Sequence, residues 1–61
     1  MYQQMKAALG LARHALISAA QAARRGDHSR QVDELAKLIQ QAKHLAELAG
    51  REYDLLKKYA Q

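Results

Sequence analysis

The chain has no cysteine and no proline. The first absence removes disulfides and thiolate metal sites as staples for a small fold, and it leaves the redox compartment open, a reducing one being fully compatible. The second removes the residue that most often interrupts a helix. Acidic residues are also missing from positions 1–26, so Lys6, Arg13, Arg24 and Arg25 stand there without a counter-charge. Aromatic residues are scarce, with three tyrosines and no tryptophan or phenylalanine. Nor is there a long apolar run: the stretch from Ala7 to Ala12 ends at Arg13-His14, far short of the roughly 20 residues that cross a membrane.

What is present favours helix. Alanine, leucine, glutamine, lysine, arginine and glutamate dominate, and a hydrophobic share of 49% argues against disorder. Sixty-one residues make at most one domain (1–61), and a chain this short buries too little surface for an isolated core to be comfortably stable. Without disulfides or thiolate metals, oligomerisation is the remaining device. The basic, amphipathic, acid-free opening also has a composition seen in organelle transit peptides. Against that, the two halves carry matching seams and read as a unit.

In the first half Met5, Ala8, Ala12, Ala15, Ala19 and Ala22 recur at alternating steps of three and four, with Leu9, Leu16 and Ala23 in an adjacent row. This predicts a helix over about 2–25. Arg24 and Arg25 suit the negative end of its dipole, and Gly26 can take the left-handed conformation that ends helices. A turn at 26–28 follows, with Asp27 or Ser29 available to cap a second helix over about 29–60. There Val32, Leu35, Ile39, Ala42, Ala46, Ala49, Tyr53, Leu56 and Ala60 keep the three-four alternation, flanked by Leu38, Leu45, Leu48 and Leu55. That stripe is wider than one facing helix covers. Gly10 and Gly50 fall inside the helical patterns, as close-packing points or weak spots, and the phase of each seam carries through them.

The expected fold is therefore all-α, an antiparallel helical hairpin assembling into a homodimeric four-helix bundle. Its expected oligomer core is Met5, Ala8, Leu9, Ala12, Ala15, Leu16 and Ala19 from the first helix. From the second come Leu35, Leu38, Ile39, Ala42, Leu45, Ala46, Ala49, Tyr53 and Leu56. Alanine at the seam lets helices approach toward the short end of the usual ~8–10 Å spacing.

Charged and polar residues offer several constellations. Arg30, Lys37, His44, Arg51 and Lys58 repeat every seven residues and resemble a phosphate-binding stripe. Asp33, Glu47 and Asp54 stand four residues before Lys37, Arg51 and Lys58, however, the favourable order for helical ion pairs, so this face reads as self-neutralised. The uncompensated cations of the first helix instead point to an anionic partner such as structured RNA or a lipid surface, with solubility as the simpler reading. The candidate RNA-binding residues are Lys6, Arg13, His14, Arg24 and Arg25. His14, His28 and His44 have no i, i+4 pair and no carboxylate cluster, so one chain offers no metal site. Arg25-Gly26-Asp27 spells a tripeptide of cell-adhesion ligands, but the capping roles of Gly26 and Asp27 already account for it.

Enzymatic chemistry finds no footing. Ser18 and Ser29 lack a placed base, the acids read as scattered along exposed positions of the second helix, and no glycine-rich loop follows a strand. No cofactor is expected, and the chain is expected to act in the cytoplasm.

Met1, Gln4, Lys6, Ala8, Leu9, Ala12 and Arg13 resemble, without a gap, the amino terminus of the Rop (Rom) family of RNA-binding hairpins. Asp33-Glu34, Ala36, Ala46 and Arg51 resemble its second helix if the loop is one residue longer. The resemblance implies a dimeric antiparallel four-helix bundle whose first helices grip a pair of kissing RNA stem-loops. The positions matching that grip are Gln3, Gly10, His14, Ser18 and Arg25. There the family offers a basic residue, an amide, an aromatic ring, an amide and a basic residue; only Arg25 is retained in kind, with His14 as a ring able to stack. A looser resemblance, through the turn at Arg24-Arg25-Gly26-Asp27, is to the helical-hairpin co-chaperones of type III secretion, which cover a hydrophobic protein partner. Three functional expectations follow: a non-enzymatic self-associating binding or scaffolding module, an RNA-binding regulator using the first helix, and a small co-chaperone for a helical protein.

Overall fold

The computed structural model describes residues 1–60 and consists of two helices, α1 (Tyr2–Arg24) and α2 (His28–Lys57), packed against each other as a hairpin 51 Å long. Among the described residues there is no strand. Both helices run through their internal glycines, as the unbroken seams require. Helix α2 ends at Lys57, short of the expected residue 60; the amides of Tyr59 and Ala60 both return to the Leu56 carbonyl and close the chain into a turn.

The connection is built as its residues dictate. Gly26 has φ +69°, the left-handed conformation that side chains with a Cβ adopt only at a cost. Its amide donates to the Ala23 carbonyl and the Asp27 amide to the Ala22 carbonyl, the paired bonds of a Schellman C-cap. One residue later the chain re-enters a helix. Asp27 Oδ1 accepts from the Arg30 amide at 3.1 Å, so of the two capping candidates Asp27 performs the role. Ser29 falls within the first turn of α2.

The inner face of α1 is the alanine row. Ala8, Ala12, Ala15, Ala19 and Ala22 are buried, and Met5 is half-buried at the same face. Opposite them α2 does not present the row that its sequence makes most apolar. The residues it turns inward are Gln31, Glu34, Leu38, Gln41, Leu45, Leu48 and Glu52, of which Glu34 and Leu48 are buried and the rest half-buried. This row has the same three-four alternation, displaced by one residue, which on a helix is a rotation of about 100°. Flat alanine surface accounts for its tolerance of polar residues, because glutamine and glutamate can lay their methylene stems on methyl groups and keep their heads toward the groove edge.

Candidate functional site

The one-residue rotation leaves an apolar face open along one side of the hairpin. Of the residues expected in the oligomer core, the hairpin buries Ala8, Ala12, Ala15 and Ala19, and half-buries Met5, Leu38 and Leu45. Leu9, Leu16, Leu35, Ile39, Ala42, Ala46, Ala49, Tyr53 and Leu56 are exposed. Leu16 retains 54%, Ile39 55% and Tyr53 62% of its surface in solvent, values far above those of a packed core. Between the helices on this side runs a groove of about 360 Å³ lined by Leu9, Ala12, Arg13, Leu16 and Leu38. Arg13 sits at its edge, and its aliphatic stem adds to the apolar wall.

The opposite side of the hairpin is polar. A groove of about 350 Å³ there is lined by Leu11, His14, Ala15, Ser18, Arg30, Glu34, Lys37, Gln40 and Gln41. Its floor includes the least expected residue in the molecule, Glu34, at 7% exposure. The acids are thus not all at exposed positions, because the α2 row that meets α1 runs through Glu34 and Glu52. Lys37 Nζ donates to Glu34 Oε1 at 3.2 Å, while the lysine side chain itself keeps 66% of its surface in water. Among the described residues this is the one ion pair. The i, i+4 pairs expected from Asp33, Glu47 and Asp54 are not formed; Lys37 turns one residue further toward the hairpin interior, where the less hydrated carboxylate holds it. At the far end Lys57 lies over the Tyr53 ring, 5.8 Å from its centroid.

All five candidate RNA-binding residues, Lys6, Arg13, His14, Arg24 and Arg25, are exposed, but they do not share one surface. Arg13 edges the apolar groove and His14 the polar one. Of the positions matching the Rop-family grip, Ser18 is half-buried beside His14, while Gln3, Gly10 and Arg25 are exposed. Among the described residues no three of His, Asp and Glu come together as a metal site, and no helix is long and apolar enough to cross a membrane.

Sequence reasoning passed over the α2 inner row because four of its seven residues are polar. The available signal was its strict three-four spacing, which runs in parallel with the more apolar row beside it. The chain matches no family model, no curated protein and no solved structure.

Proposed function

We propose that this protein is a non-enzymatic, self-associating binding or scaffolding module of the cytoplasm, two hairpins joining through their open apolar faces into a four-helix bundle. The observation that carries the reading is the exposed row of α2, with Leu35 and Ile39 beside Leu16 and Leu9 of α1, and Tyr53 and Leu56 continuing it past the start of α1. Among the described residues the buried side chains are five alanine methyls, Leu48 and Glu34, too little apolar volume to stabilise a chain of this length without staples. Each half-exposed leucine or isoleucine carried to full burial adds about 1 kcal/mol.

The angular arrangement supports a bundle rather than a single partner helix. Two seams about 100° apart on one helix match the near right angle between neighbours at the corner of a four-helix square. A second copy brings two such helices at once. Sedimentation equilibrium and thermal melting at two concentrations test this. The expected mass is twice the 6.8 kDa of the chain, with a cooperative melt that rises with concentration. A stable, cooperatively melting single chain at micromolar concentration would refute it. Ile39→Asp, at a position exposed in the hairpin, is expected to abolish the dimer.

A second reading rests on the exposed Lys6, Arg13, Arg24 and Arg25, which face no acid anywhere on α1. In that reading the module carries structured RNA on α1. A gel shift weakening steeply with salt, and lost in Arg24→Glu and Arg25→Glu variants of unchanged mass, supports it; equal binding by wild type and variants removes it. A third, a co-chaperone covering a helical partner, predicts a chain ordered only in the presence of that partner.

A further inference from the structure

The open face also carries information about how a second copy would sit on it, and the orientation it specifies rests on the self-association proposed for this face. Arg24 and His28 flank the turn, so residues of α1 and α2 whose numbers add to about 52 lie level along the hairpin. The grooves agree with this register, since Arg13 shares one with Leu38, and Ala15 shares the other with Lys37. Along its exposed row, α1 runs from small Ala20 and Ala23 near the turn through Leu16 to Leu9 further away. Helix α2 carries Val32, Leu35 and Ile39 nearer the turn, Ala42, Ala46 and Ala49 beyond them, and Tyr53 and Leu56 at its far end. Leu9 is level with Ala42 and Ala20 with Val32, while Leu16 is level with Leu35 and Ala36.

We infer that the two hairpins associate with both turns at the same end, each α1 packing against the α2 of the other copy. In that arrangement Leu9 comes level with Ala42 of the second copy and Ala20 with its Val32. Arg13 comes level with Ile39 of the second copy, over which its methylene stem can lie, and Lys6 comes level with Glu47. All neighbouring helices remain antiparallel.

The competing arrangement places the turns at opposite ends and sets α1 against α1. Arg13 is the middle residue of Tyr2–Arg24, so an antiparallel α1 pair brings two Arg13 side chains together in the seam. Both helices of that pair carry Lys6, Arg13 and Arg24 with no acid between them. Charge along the rest of the chain favours the mixed pairing, because in α2 five acids balance five cations. Like charges facing each other across an interface disfavour that partner choice.

The absence of cysteine makes the orientation directly measurable. Ser29 is exposed and takes no part in the cap, so Ser29→Cys can receive a nitroxide label, with Gln3→Cys, also exposed, reporting the far end. Pulsed dipolar spectroscopy of the dimer is expected to give label separations of about 20–25 Å at both sites, set by helices ~10 Å apart. Separations of roughly 35 Å or more at both sites, the length of a 23-residue helix, would overturn the same-end orientation while leaving self-association standing. Absence of any dipolar coupling, with a single-chain mass from the unlabelled protein, would overturn both.

Discussion

At Gly26 the backbone holds φ +69°, and a Cβ there would meet no neighbour within 4 Å, so the cost of Gly26→Ala is conformational rather than steric crowding by the fold. A loss of about 1 kcal/mol is expected. Gly10 and Gly50 also have open space around an added Cβ but lie in ordinary helical backbone, so they are weak spots rather than close-packing points. Alanine at either is expected to stabilise by about 0.5–1 kcal/mol. Urea denaturation of the three variants at one protein concentration checks the contrast, and a loss at Gly10 or Gly50 would reveal packing against that surface. Asp27→Ala should lose about 1 kcal/mol of capping energy, and Asp27→Asn, which keeps the acceptor oxygen, much less. Glu34 is a different case. Its side chain is only 9% exposed, yet its partner Lys37 keeps 66% of its side-chain surface in water, so the attraction it gains is screened and weak. Glu34→Leu extends the Leu38, Leu45 and Leu48 row and is expected to raise stability by about 1 kcal/mol; a fall of that size would assign Glu34 a structural role beyond the pair.

The two helices differ in how much of their behaviour could be read from residues alone. For α1 the alanine row read from the sequence is the row that meets α2, because no competing row on that helix has comparable regularity. The stop at Gly26 and the cap at Asp27 were legible for the same reason: each rests on local backbone chemistry that distant contacts do not alter. Helix α2 was legible in extent and phase but not in direction. Its Val32, Leu35, Ile39, Ala42 row is the more apolar, and reasoning from hydrophobicity turns it inward, whereas the hairpin turns in the neighbouring Gln31, Glu34, Leu38, Gln41 row. Which of two adjacent seams meets a given partner depends on the shape of that partner, a property of the pair and not of the helix. Burial of the alanine row between the helices gives a test at this scale. Ala8, at 2% exposure, lines neither groove and sits on the face that meets α2, so Ala8→Leu is expected to destabilise the hairpin by about 2 kcal/mol. A raised melting temperature would show the seam to be slack.

For the whole molecule, charge and apolar surface act in opposite directions. Each chain carries a formal +4, so joining two copies concentrates positive charge, and added salt should tighten self-association by screening that repulsion. Binding to RNA would respond to salt in the opposite sense, which makes sedimentation across ionic strength a discriminating measurement. A dimer that weakens with salt would indicate that attractive ion pairs outweigh the net charge. The rotation between the two seams has one more effect, on how substitutions are felt. Alanines 8, 12, 15, 19 and 22 act within a chain, whereas Leu9, Leu16, Leu35 and Ile39 face outward from it. Changes in the first set act directly on the contact between the two helices, whereas changes in the second leave that contact in place. Under the proposed association the second set would therefore be felt twice, in how tightly the copies join and, because the hairpin alone buries little, in how stably each chain folds.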